Sequence, residues 1–152
     1  MIAMFSELLD NHALIGALIA WAIAQIIKVP LDYRETHKWH WALLLQPGGM
    51  PSSHSALVVG ITHGVGLAAG FDSVSFALSF ALAMVVIYDA TGIRRQAGLH
   101  AELINAMIED LAAGHPLKNE QLKEVLGHTP REVLGGILLG IVCAQIIYIL
   151  WH

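Results

Sequence analysis

Four apolar runs of about membrane-crossing length divide the chain: Ala13 to Val29, His54 to Phe71, Val74 to Ala90, and Val133 to Trp151. A helix needs roughly 17 to 25 largely apolar residues to cross the hydrocarbon, where every backbone polar group must be paired within the segment itself. The runs therefore predict an all-α integral membrane bundle of about four transmembrane helices. Composition agrees, since the 152 residues are 56% apolar and 13% charged, whereas about 25% is charged in soluble domains. That length allows one membrane-embedded domain, residues 1–152.

The charges fall on one side. All eight Lys and Arg (Lys28, Arg34, Lys38, Arg94, Arg95, Lys118, Lys123, Arg131) lie between runs one and two, counting Lys28 at the end of the first, or between runs three and four. The other side carries Glu7, Asp10 and Asp72. The positive-inside rule then makes both basic loops cytoplasmic in a multi-pass protein of the cell membrane, with the N-terminus, the Phe71 to Ser73 turn and the C-terminus outside. A net charge of -4, without basic residues interleaved with aromatics, argues against nucleic acid as a partner. The single cysteine, Cys143, lies in an apolar run and reads as a packing residue, which excludes a disulfide framework. No basic residue precedes the first apolar run, so that run is expected to stay rather than be cleaved as a signal.

Gly60 with Gly64, and Gly136 with Gly140, stand four apart and put small residues on one helix face, for close packing inside the bundle or across a homodimer. Between runs three and four, Leu103, Ile104, Met107, Ile108 and Leu111 recur at helical spacing opposite Glu102, Asn105, Glu109 and Asp110. This predicts an amphipathic helix on the cytoplasmic surface or over the site. A second short helix is expected over about Lys118 to Leu126, stopped by Gly127.

Polar chemistry gathers at the starts of runs two and four. Pro51-Ser52-Ser53-His54 offers free N–H groups at a helix N-terminus and two hydroxyls, which suit an anion. In His128-Thr129-Pro130-Arg131-Glu132 a carboxylate follows an imidazole by four residues, so it can hold one ring nitrogen and leave the other to attack. Phosphoryl transfer needs such parts: cations and N–H groups around the phosphate oxygens, a nucleophile, and an acid for the leaving oxygen.

These motifs resemble the signatures of the type 2 phosphatidic acid phosphatase and vanadium haloperoxidase superfamily. Pro51-Ser52-Ser53-His54 is similar to its Pro-Ser-Gly-His, and His128 to Gly136 to its third signature, His-x-x-x-Asp followed by Val and small residues. With Gly48-Gly49-Met50 and Asp89 to Gly98, the chain looks like the small divergent bacterial and plastid branch, from about Gln25 to Gly140. The resemblance implies a metal-independent hydrolase of phosphate monoesters, acting on a lipid or isoprenoid phosphate through a phosphohistidine and needing no cofactor. It makes His128 the nucleophile, Glu132 its orienting carboxylate and His54 the acid. Ser52 and Ser53 would bind phosphate oxygens.

The family's first signature, Lys-x6-Arg-Pro, is met by Lys28 and Arg34, one residue short and without the proline. Leu122 stands where the third-signature arginine is expected, so Arg94 or Arg95 would supply that charge, with Lys123 as another candidate clamp. Pairing Arg94 with His100 also fits the spacing, but Ile104 then stands where the carboxylate should be. Asp89 suits either holding the arginines or capping the third run.

Each motif has a plainer role. Ser52 and Ser53 also suit capping of a helix, and Glu132 suits a helix dipole. His63, nine residues after His54, falls on the opposite helix face and is expected to bond within the bundle. No His-x3-His or similar ligand spacing occurs. Against the phosphatase stands a non-catalytic protein that binds lipid headgroups or scaffolds a membrane complex.

Overall fold

A computed structural model describes the backbone of residues 2–45, 48–112 and 128–151, and the side chains of these except residues 2–5, 93–97, 106 and 109–112. Among them every regular element is helical: α1 (Ile2–Leu9), α2 (His12–Thr36), a 3-10 turn (Trp41–Leu44), α3 (Ser53–Ala69), α4 (Val74–Thr91), α5 (Ile93–Ala112) and α6 (Pro130–Trp151). Three of them, α2, α4 and α6, are long and apolar enough to cross a membrane. The second run forms α3, whose 17 residues span about 26 Å, slightly less than the hydrocarbon core. It packs against α2, α4 and α6, so the shortest of the four is also the most enclosed.

Small residues set this packing. On α2 the inward stripe is Ala13, Gly16, Ala17, Ala20 and Ala24, all buried. A Cβ on Gly60 would lie 3.0 Å from the Ala17 Cα, and one on Gly64 2.7 Å from the Ala13 Cα. On α6, a Cβ at Gly136 would meet the Ser52 carbonyl oxygen and one at Gly140 the Ala56 carbonyl oxygen at 2.6 Å. Both glycine pairs are therefore used inside one chain, by α3 against α2 and α6 against α3. Large side chains face outward, among them Leu78, Leu82 and Val85 on α4 and Leu134, Leu138 and Val142 on α6. Small inside and large outside suits lipid, where close backbone packing rather than water exclusion holds helices together. Cys143 lies buried beside Ala20, Ala24 and Ala56, a packing residue as its sequence position implies.

The helices outrun the apolar runs. α2 continues through Pro30 to Thr36, seven residues beyond Val29, and ends on His37 in the left-handed conformation (φ 55°). The amphipathic helix begins at Ile93, ten residues before its apolar stripe, and is joined to α4 by Gly92. Leu103, Ile104 and Met107 are exposed on it, whereas Asn105, expected on its polar face, is buried. The helix expected over Lys118 to Leu126 lies outside the described residues, as does Lys123. α1 was not anticipated.

Candidate active site

Four helix ends meet at the site: the C-terminal turns of α2 and α4 and the N-termini of α3 and α6. Gly48 and Gly49 lead into α3 with φ of 97° and 75°, a region only glycine enters freely. Ser52 then caps α3, its hydroxyl accepting from the Ser55 N–H at 3.3 Å and the Ser55 hydroxyl at 3.0 Å. Its own N–H donates to the Glu132 carbonyl at 2.8 Å. That bond ties the start of α3 to the start of α6.

The start of α6 is a reciprocal cap. Thr129 N–H donates to Glu132 Oε2 at 3.2 Å, and Glu132 N–H to Thr129 Oγ1 at 3.4 Å, with Pro130 first in the helix. The same Oε2 lies 2.9 Å from His128 Nδ1. An ionised carboxylate only accepts, so Nδ1 carries the proton and the Nε2 lone pair remains for chemistry. His128 is 5% exposed. Its N–H donates to the Ala90 carbonyl at 3.0 Å, which fixes it to the end of α4.

His54, on the first turn of α3, faces this ring with centroids 6.2 Å apart and planes inclined by 57°. Lys28 is buried (2% exposed), with Nζ 3.3 Å from Ser53 Oγ and a short hydrogen bond to Gln25 Oε1. Among the described residues it forms no ion pair. Beside these groups opens a cleft of about 300 Å³, whose polar lining includes Lys28, Asp32, Glu35, Thr129, Arg131 and Glu132. Neither histidine is among the residues that line it.

The structure thus brings together His54, His128, Glu132, Lys28, Ser52 and Ser53. It does not bring Arg34, which is exposed in the last turn of α2. Six residues past Lys28 on one helix is about 120° around the axis, so the two cations face different ways. Asp89 is half-buried next to Ala90. The backbones of Arg94 and Arg95 sit in the first turn of α5, but their side chains lie outside the described residues. His100 is exposed, which separates it from buried His128. His63 bonds Gln145 at 3.1 Å, away from the site. Two participants were missed, Gln25 and Thr129. The Thr129-x-x-Glu132 cap was readable in the sequence, whereas Gln25 carried only its spacing of three from Lys28.

Residues 9–143 match the family described as the Divergent PAP2 family. The chain is also similar to "Uncharacterized membrane protein YuiD" of Bacillus subtilis (strain 168), 41% identical in an alignment that covers 93% of this chain and 96% of that protein. No solved structure matches. A family match over most of the length, on a chain with three helices long and apolar enough to cross a membrane, leads to one conclusion: this membrane protein belongs to the divergent PAP2 family.

Proposed function

We propose that the protein is a metal-independent phosphatase of the cell membrane, one domain over residues 1–152, which hydrolyses a phosphate monoester of a lipid or isoprenoid at the cytoplasmic face. The observation that carries this reading is the meeting of two imidazoles at 6.2 Å, one of them held by a carboxylate at 2.9 Å. His128 Nε2 attacks phosphorus and forms a P–N bond as the ester P–O bond breaks. His54 gives its proton to the leaving alkoxide. Water, deprotonated by His54, then cleaves the P–N bond, releasing inorganic phosphate and restoring both rings. Lys28, Ser53 and the N-termini of α3 and α6 favour the anionic phosphate throughout. The apolar tail stays in the bilayer beside the bundle.

Phosphate release from a long-chain alkyl phosphate, an isoprenyl phosphate and phosphatidic acid, by protein purified in detergent, tests this. His128→Ala should lose on the order of 10³-fold or more in kcat, with vanadate inhibiting the parent and chelators leaving it unaffected. Unchanged turnover in His128→Ala would remove the nucleophile. A second reading, a headgroup-binding protein without turnover, is favoured by the Ser52 hydroxyl being engaged as a cap and by Arg34 facing away. Binding of those phosphates with no hydrolysis of any would establish it.

A further inference from the structure

Burying an ammonium is expensive unless something compensates it, and a carboxylate is the usual partner. Lys28 is 2% exposed, yet its acceptors are neutral: Gln25 Oε1 and Ser53 Oγ, the second at 3.3 Å. An ammonium has three protons and no acceptor capacity, so these two bonds orient it, while the Glu132 carboxylate in the same cleft supplies opposite charge at longer range. The amide of Gln25 has its orientation set from both ends. Its Nε2 donates to the Leu44 carbonyl at 3.1 Å, and a carbonyl only accepts; its Oε1 faces Lys28, which only donates. Leu44 ends the 3-10 turn (Trp41–Leu44). The bonds run from that turn through Gln25 and Lys28 to Ser53, at the start of the helix that carries His54.

We propose that Gln25 is a positioning residue that holds the Lys28 ammonium toward the anion site and links its placement to the 3-10 turn. This rests on Lys28 binding phosphate in the reading above. A glutamine suits the task because a neutral amide supplies the acceptor without competing with the ligand. A glutamate of the same length would form an ion pair with Lys28 and oppose the incoming anion.

The test is a double-mutant cycle on binding of inorganic phosphate and vanadate to the full chain in detergent micelles, with thermal unfolding followed for every variant. In the parent background Gln25→Glu should weaken anion binding about tenfold or more, as expected for neutralising a nearby charge. Gln25→Met should weaken it less, with the same sign. In the Lys28→Met background Gln25→Met should leave the residual affinity unaltered, whereas Gln25→Glu still repels the anion. Equal losses for Gln25→Met in the two backgrounds, or none in the parent, would show that Gln25 acts only on structure and overturn the inference while Lys28 keeps its role. If Lys28→Met binds phosphate like the parent, the role of Lys28 fails, and this inference falls with it. Should Gln25→Glu not fold, Gln25→Met, close in volume and lacking both polar groups, carries the same cycle.

Discussion

Glu132 Oε2 serves two donors, the His128 ring at 2.9 Å and the Thr129 N–H at 3.2 Å, so one carboxylate both orients the imidazole and caps α6. The roles separate by substitution. Glu132→Gln keeps the length and an acceptor for the cap but loses the charge that stabilises an imidazolium and fixes its tautomer; kcat should fall on the order of 10²- to 10⁴-fold, with KM little changed. Glu132→Asp keeps the charge on a shorter arm and should retain more activity than the glutamine variant. Parental kcat in Glu132→Gln would confine the carboxylate to capping. Thr129→Ala provides the converse case. It removes only the Oγ1 partner of the cap, so stability should drop by about 1 kcal/mol while kcat per folded molecule holds, which unfolding and turnover of the same preparation would check.

Between elements, close approach decides more than helix propensity. Gly136 lies inside α6, where alanine would otherwise be favoured by roughly 1 kcal/mol. A Cβ there would collide with the Ser52 carbonyl oxygen and approach the Ser55 Cβ to 2.9 Å, and a backbone carbonyl that caps α3 cannot swing aside. Overpacking of this kind costs about 1–3 kcal/mol, which offsets the propensity gain. Gly136→Ala should therefore lower the unfolding temperature and disturb both histidines, since it wedges their helices apart. At Gly135 the nearest neighbour of a Cβ is the Pro51 side chain at 3.3 Å, so Gly135→Ala should be the milder change. Equal unfolding temperatures for the two variants would mean that α3 and α6 are not clamped at Ser52. These contacts also show what the sequence made legible. Hydropathy located the four runs, and motif chemistry singled out His128 and Glu132 as candidates, because an imidazole four residues from a carboxylate at a helix start is a local signal, and His54 through the tetrapeptide that opens α3. The extension of α2 through Pro30 is not such a signal, and it turned Arg34 away from Lys28. Nor is the bond from Gln25 to Leu44, between residues nineteen apart in sequence, because only the folded loop brings them together.

At the scale of the whole molecule, the site end and the far end differ in kind. Around the site lie Lys28, Arg34, Lys38 and Arg131 with the stacked rings of Tyr33, Trp39 and Trp41, centroids 4.4 and 5.5 Å apart, an aromatic group suited to a headgroup layer. At the far end are Asp10, Asp72 and the His12 and Trp151 rings, 4.7 Å apart, with no Lys or Arg among the described residues. α2 runs toward the site, α3 away, α4 toward it and α6 away, so the basic and acidic groups lie at opposite ends of the bundle. By the positive-inside rule the cytoplasm is the side proposed above for the site. Cys143 is the only cysteine and is buried beside small residues, so Cys143→Ala provides a background for single-cysteine reporters. Exposed Asp10→Cys and Asp72→Cys should react with a membrane-impermeant maleimide on intact cells. Lys38→Cys and Arg131→Cys, also exposed, should react only after permeabilisation. Reaction of the second pair on intact cells, with protection of the first, would put the histidines outside and require a substrate from the outer leaflet. Reaction of all four before permeabilisation would instead mean that the helices do not span the bilayer in this order, and that the two imidazoles meet for some reason other than a shared membrane surface.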